Sequence, residues 1–84
     1  MKLTNAIKKL SKHGKVKQDG NLFWAEINRH VVEFMVNGRM DDDSKDITCI
    51  RCRGVNDNDD LMTDYWGGVW CNNLTQAIKV ATAA

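Results

Sequence analysis

Apolar and polar positions along the chain fall into two periods, one helical and one of two residues. Leu3, Ala6, Ile7 and Leu10 recur at i, i+3, i+4 and i+7 and mark one stripe of an amphipathic helix, with the lysines off the stripe. His13 and Gly14 close it, the glycine acting as a left-handed stop, so the pattern predicts a helix over 2–13. Val16 leads into the turn dipeptide Asp19-Gly20. From Leu22 to Asn28 the period is two: Phe23, Ala25 and Ile27 take one side, Trp24, Glu26 and Asn28 the other. Asn28-Arg29-His30 reads as a tight connection to a second strand, Val31–Val36. In that strand Val32, Phe34 and Val36 oppose Val31, Glu33 and Met35.

Asn37-Gly38 is a turn signal that opens a longer acidic loop. Ile47–Arg53 follows as a third strand, with Ile50 and Cys52 on one side and Cys49, Arg51 and Arg53 on the other. Gly54–Met62 is polar and acidic, hence a loop. Thr63–Cys71 reads as a fourth strand kinked at Gly67-Gly68. Leu74, Ala77, Ile78 and Ala81 restore the helical spacing, with Asn73 as N-cap and Gln76 three residues on in capping-box fashion. The expectation is a single α+β domain over 1–84. It holds a four-stranded antiparallel meander with N- and C-terminal helices packed on one face.

The chain has 84 residues and a formal net charge of +1. One domain with a small core is what such a length allows, and no apolar run approaches the roughly 20 residues of a membrane span. Three cysteines without a secretory signal read as reduced thiols. The near-zero net charge hides an asymmetry. Residues 1–18 hold six lysines and no acid; residues 41–64 hold eight aspartates against Lys45, Arg51 and Arg53. Charge so divided speaks to partners rather than to fold.

Chemistry finds few footholds. Cys49 and Cys52 form a C-x-x-C inside a strand pattern, where residues three apart face opposite ways, so neither a redox pair nor a zinc knuckle is expected. The aspartates at 57, 59, 60 and 64 lack the central glycine and terminal glutamate of a calcium loop. No serine sits in a glycine-flanked elbow, and neither His13 nor His30 has an evident acid and nucleophile beside it. A chain this small is also hard pressed to enclose a substrate pocket of about 300 Å³. No catalytic residue, metal or cofactor is expected. Binding is the remaining class. The clustered aspartates suit a basic surface, with Trp66 and Trp70 as aromatic anchors, at least one tryptophan being expected in the core. Alternatively Lys8, Lys9 and Lys12 contact nucleic-acid phosphates. Trp24, Val31 and Met35 offer an apolar sheet face for a homodimer, the other expectation being a monomer.

The run from Arg53-Gly54 through Asp57, Asp59 and Asp60 to Thr63-Asp64-Tyr65, with Trp66-Gly67-Gly68 and the closing Asn73–Ile78, resembles a family of short proteins encoded by bacteriophages and prophages. Related segments occur inside very large phage polyvalent proteins. The resemblance covers most of the chain, and Asp60–Tyr65 is its most specific part. It implies a small accessory protein of the anti-CRISPR or anti-restriction kind, working in the host cytoplasm against a host defence protein. The partner-binding residues would be Asp57, Asp59, Asp60, Asp64, Tyr65 and Trp66. The motif has a second reading, in which Asp and Thr side chains shape the loop and Arg53 pairs with Asp60 or Asp64.

Overall fold

A computed structural model describes residues 1–37, 46–54 and 68–83. The elements run α1 (Leu3–Ser11), β1 (Lys17–Asp19), β2 (Leu22–Ile27), β3 (His30–Val36), β4 (Ile47–Gly54), β5 (Gly68–Trp70) and α2 (Leu74–Thr82). The five strands form one antiparallel sheet in sequence order, β1-β2-β3-β4-β5. The architecture is thus α+β with five strands rather than four. The added strand, β1, is three residues long and exposed throughout, so it carries no alternation for the eye to find. Of the fourth predicted strand, Gly68–Trp70 is β5, Cys71 follows it, and the start at Thr63 lies outside the described residues. So does most of the predicted loop, whose first residue, Gly54, ends β4.

The period of two divides the sheet. Phe23, Ala25, Ile27, Val32, Phe34, Val36, Ile50 and Cys52 join one buried cluster. Leu3, Ala6 and Leu10 of α1 and Leu74, Ala77, Ile78 and Ala81 of α2 belong to the same cluster. Phe23 and Phe34 face each other across β2 and β3 and stack with ring centroids 5.4 Å apart, an arrangement worth about 1 kcal/mol beyond the area it buries.

The two helix starts are built by different means. Asn73 Oδ1 accepts from the Gln76 N–H at 2.8 Å, and the Gln76 carbonyl oxygen Oε1 accepts from the Asn72 N–H at 2.8 Å. This is a reciprocal cap displaced by one residue from the standard box. The start of α1 has no side-chain cap. It is held instead by Lys2, whose backbone bridges Asp46 and whose Nζ lies 3.4 Å from the Asp46 carboxylate. The Asn28–Arg29 connection is a two-residue hairpin loop with φ of 50° and 63°. Two positive φ values in succession are the mark of a type I′ turn, whose twist matches the flanking strands.

Gly14 does not serve as the left-handed stop that the sequence suggests; among the described glycines only Gly20 has a positive φ. Its role is close approach. A Cβ placed on Gly14 would lie 2.7 Å from the backbone oxygen of Glu26. Lacking a side chain, residue 14 lets the chain leaving α1 touch β2. Gly14→Ala is therefore expected to destabilise the fold by about 1–3 kcal/mol, the usual cost of forced overpacking, measured by urea unfolding.

Candidate functional site

The register places one residue from each strand in a single row: Lys17, Trp24, Glu33, Arg51 and Trp70. Directly paired residues share a face, and this row lies on the face opposite the core cluster. The adjoining row holds Glu26, Val31, Arg53 and Gly68. Among the described residues Glu33 is the one charged or polar residue that is buried, with 4% of its surface exposed. A carboxylate so enclosed must be paired. Arg51 Nε donates to Glu33 Oε1 at 2.6 Å, and Arg51 Nη2 reaches the same oxygen. Arg53 Nη2 lies 3.3 Å from Oε2. Each carboxylate oxygen thus takes one arginine. Arg51 is further fixed by Trp70, whose ring centroid lies 5.3 Å from its guanidinium carbon, a cation–π contact.

Beside this ion triad the backbone departs from regular pairing. Glu33 faces Arg51 and Met35 faces Thr48, so β4 carries one more residue than β3 between the two pairs. That is a β-bulge, and within it Cys49 has φ of 51°. The left-handed conformation costs a non-glycine residue about 1–2 kcal/mol. The triad and the bulge border a cavity of about 350 Å³, lined by Leu22, Glu33, Met35, Cys49, Arg51, Arg53 and Trp70. Its size falls within the range of small-ligand sites, and it is open to solvent rather than enclosed.

Of the residues singled out in the sequence, Asp57, Asp59, Asp60, Asp64, Tyr65 and Trp66 lie outside the described residues. Lys8 and Lys12 are exposed and Lys9 is half-buried on α1; among the described residues none of the three takes part in an ion pair. Trp70 is 55% exposed, and Trp24 is half-buried. The apolar patch expected from Trp24, Val31 and Met35 is broken, because Val31 is fully buried and only Met35 is openly exposed. Arg53 pairs with Glu33; Asp60 and Asp64, its expected partners, lie outside the described residues.

The acidic stretch 41–64 is also divided by the fold. Segment 38–45 leaves from the Val36–Ile47 end of the β3–β4 pair, and segment 55–67 leaves from the Gly54 end. Eight residues of β4 separate the two attachment points, about 25 Å at strand rise. The single acidic pole suggested by the linear sequence is therefore anchored at two ends of one strand.

Cys49 is exposed and Cys52 buried, so the C-x-x-C thiols point apart as strand geometry requires. Among the described residues no group of three or more His, Cys, Asp or Glu is placed to hold a metal ion, and no helix is long and apolar enough to cross a membrane. No protein-family model, curated protein or solved structure matches the chain.

Burial, and secondarily the nearby Cys71 thiol, pushes the Cys52 thiol from 9.0 up to about 11. A folded-state pKa raised above the unfolded one favours the neutral thiol in the fold. The stability that this lends is complete below pH 9 and lost as pH climbs toward about 11. Cys52→Ala is expected to lose the part of the alkaline decline in melting temperature that this thiol causes, when wild type and variant are scanned across that window.

Proposed function

We propose that the chain is a phage-encoded, non-enzymatic inhibitor of the anti-CRISPR or anti-restriction kind. It acts in the host cytoplasm by binding a basic surface of a host defence protein, as a monomer or homodimer. Asp57, Asp59, Asp60 and Asp64 supply the charge and Tyr65 and Trp66 the apolar contact. One observation carries this reading: the division of charge between scaffold and connections. The described residues hold ten Lys and Arg against four Asp and Glu, so seven of the eleven carboxylates belong to segments 38–45 and 55–67. Carboxylates concentrated in two connections on a cationic scaffold favour steering toward a positive partner. Trp70, exposed on the strand that ends segment 55–67, adds a side chain of the type that anchors interfaces.

A second reading has its own support. Lys8 and Lys12 are exposed one helical turn apart, with Lys9 beside them, and are free of carboxylate partners among the described residues. Such a face suits phosphate contacts, and the protein would then be a nucleic-acid-associated phage accessory protein.

The two readings separate in one assay. Phage plating is measured on hosts carrying a CRISPR or restriction system and expressing wild type, the Asp57→Lys/Asp59→Lys/Asp60→Lys variant, or the Lys8→Ala/Lys9→Ala/Lys12→Ala variant. Melting curves establish that each variant folds. The inhibitor reading expects protection by the wild type and the lysine variant, and a loss of about tenfold or more in the aspartate variant. Protection that survives reversal of the aspartates, or no protection by the wild type, contradicts it. A loss confined to the lysine variant, with salt-sensitive gel retardation by the wild type, selects the second reading.

A further inference from the structure

We propose that the cavity beside the Glu33–Arg51–Arg53 triad holds one nucleotide of a single-stranded nucleic acid. The base would lie against Trp70 and Met35, and the phosphodiester would meet the guanidinium groups that line the cavity. The charge count favours this ligand. Among the described residues, two guanidiniums and one carboxylate border the space, an excess of one positive charge among them, and the other described walls, Leu22, Met35, Cys49 and Trp70, are largely apolar. A phosphodiester carries a single negative charge and is joined to a flat, largely apolar base, so both halves of one nucleotide find complementary walls.

Geometry adds to charge. The Arg51 guanidinium is stacked with the Trp70 ring, while more than half of the Trp70 surface is open to solvent. An aromatic ring already paired with an arginine on a sheet is a stacking platform that accepts any unpaired base. Glu33 holds both arginines in fixed directions, so little side-chain freedom is lost when a phosphate arrives. Cys49, with its left-handed backbone at the bulge, is one of the residues lining the cavity. The volume of about 350 Å³ admits one nucleotide and no duplex. The site is distinct from Lys8 and Lys12, whose helix packs on the opposite face of the sheet.

The test is fluorescence anisotropy of a short fluorescein-labelled oligothymidylate at low salt. A saturable rise is expected for the wild type. Trp70→Ala should weaken binding about tenfold or more with its melting temperature near that of the wild type, since the side chain is exposed on an edge strand. Trp70→Phe should retain most of the affinity, and Lys8→Ala/Lys12→Ala should bind nearly as the wild type does. The proposal is overturned by no saturable rise, by undiminished binding in Trp70→Ala, or by equal binding of a duplex. Abolition of the signal by thymidine monophosphate at equal nucleotide concentration would likewise overturn the strand as the ligand.

Discussion

A carboxylate withdrawn from water in the centre of a sheet sets the terms for the whole second face of this domain. Glu33 lies on the middle strand, and a charge there has no place unless cations are delivered to it. Strand β4 delivers two, at alternate positions, so that Arg51 and Arg53 point the same way and reach one oxygen each. The register that accomplishes this places Trp70 in line with Arg51 on the far side. A slip of one residue between β3 and β4 would turn the arginines into the core and leave Glu33 unpaired. Ion triad and register specify each other.

The same alternation gathers the core: the core-facing apolar residues of β2 and β3 belong to one buried cluster with Leu10 and Leu74. The extra residue at Cys49 lets β4 keep Arg51 in register with Glu33 while Ile47 still meets Val36 at the other end. The bulge is the local accommodation that allows one strand to serve both a packed face and a charged one, at the cost of a left-handed cysteine.

Much of the architecture was readable from residue patterns. Both helices, the three central strands, the Asn28–Arg29 link and the Asn73 cap follow from periodicity and turn chemistry, because each of these is a local matter. Strand β1 was invisible: Lys17, Gln18 and Asp19 are all exposed, and only pairing with β2 makes them a strand. Sequence position alone makes Gly14 a helix stop, whereas its need is set by the Glu26 carbonyl, distant in sequence. The candidate site was half legible. The grouping of Val31, Glu33 and Met35 on one side, and of Cys49, Arg51 and Arg53 on one side, stood in the alternation. The missed signal was a lone glutamate inside the apolar run Val31–Val36, which calls for cations on the neighbouring strand. The bulge had no signal, since nothing in Thr48-Cys49-Ile50 marks an inserted residue. Strand β4 runs through the acidic stretch, so its two parts attach at opposite ends of that strand, and seven of its eight aspartates lie outside the described residues.

The interdependence of Glu33 with the two arginines is tested most directly by a double-mutant cycle of Glu33→Gln and Arg51→Gln, followed by urea unfolding. Removing the carboxylate leaves two arginines facing a neutral amide in a largely enclosed place. Glu33→Gln is therefore expected to lose about 3–5 kcal/mol, and Arg51→Gln to cost much less in the Glu33→Gln background than alone. A Glu33→Gln protein within about 0.5 kcal/mol of the wild type, or two losses that simply add, would contradict the dependence of this face on the triad.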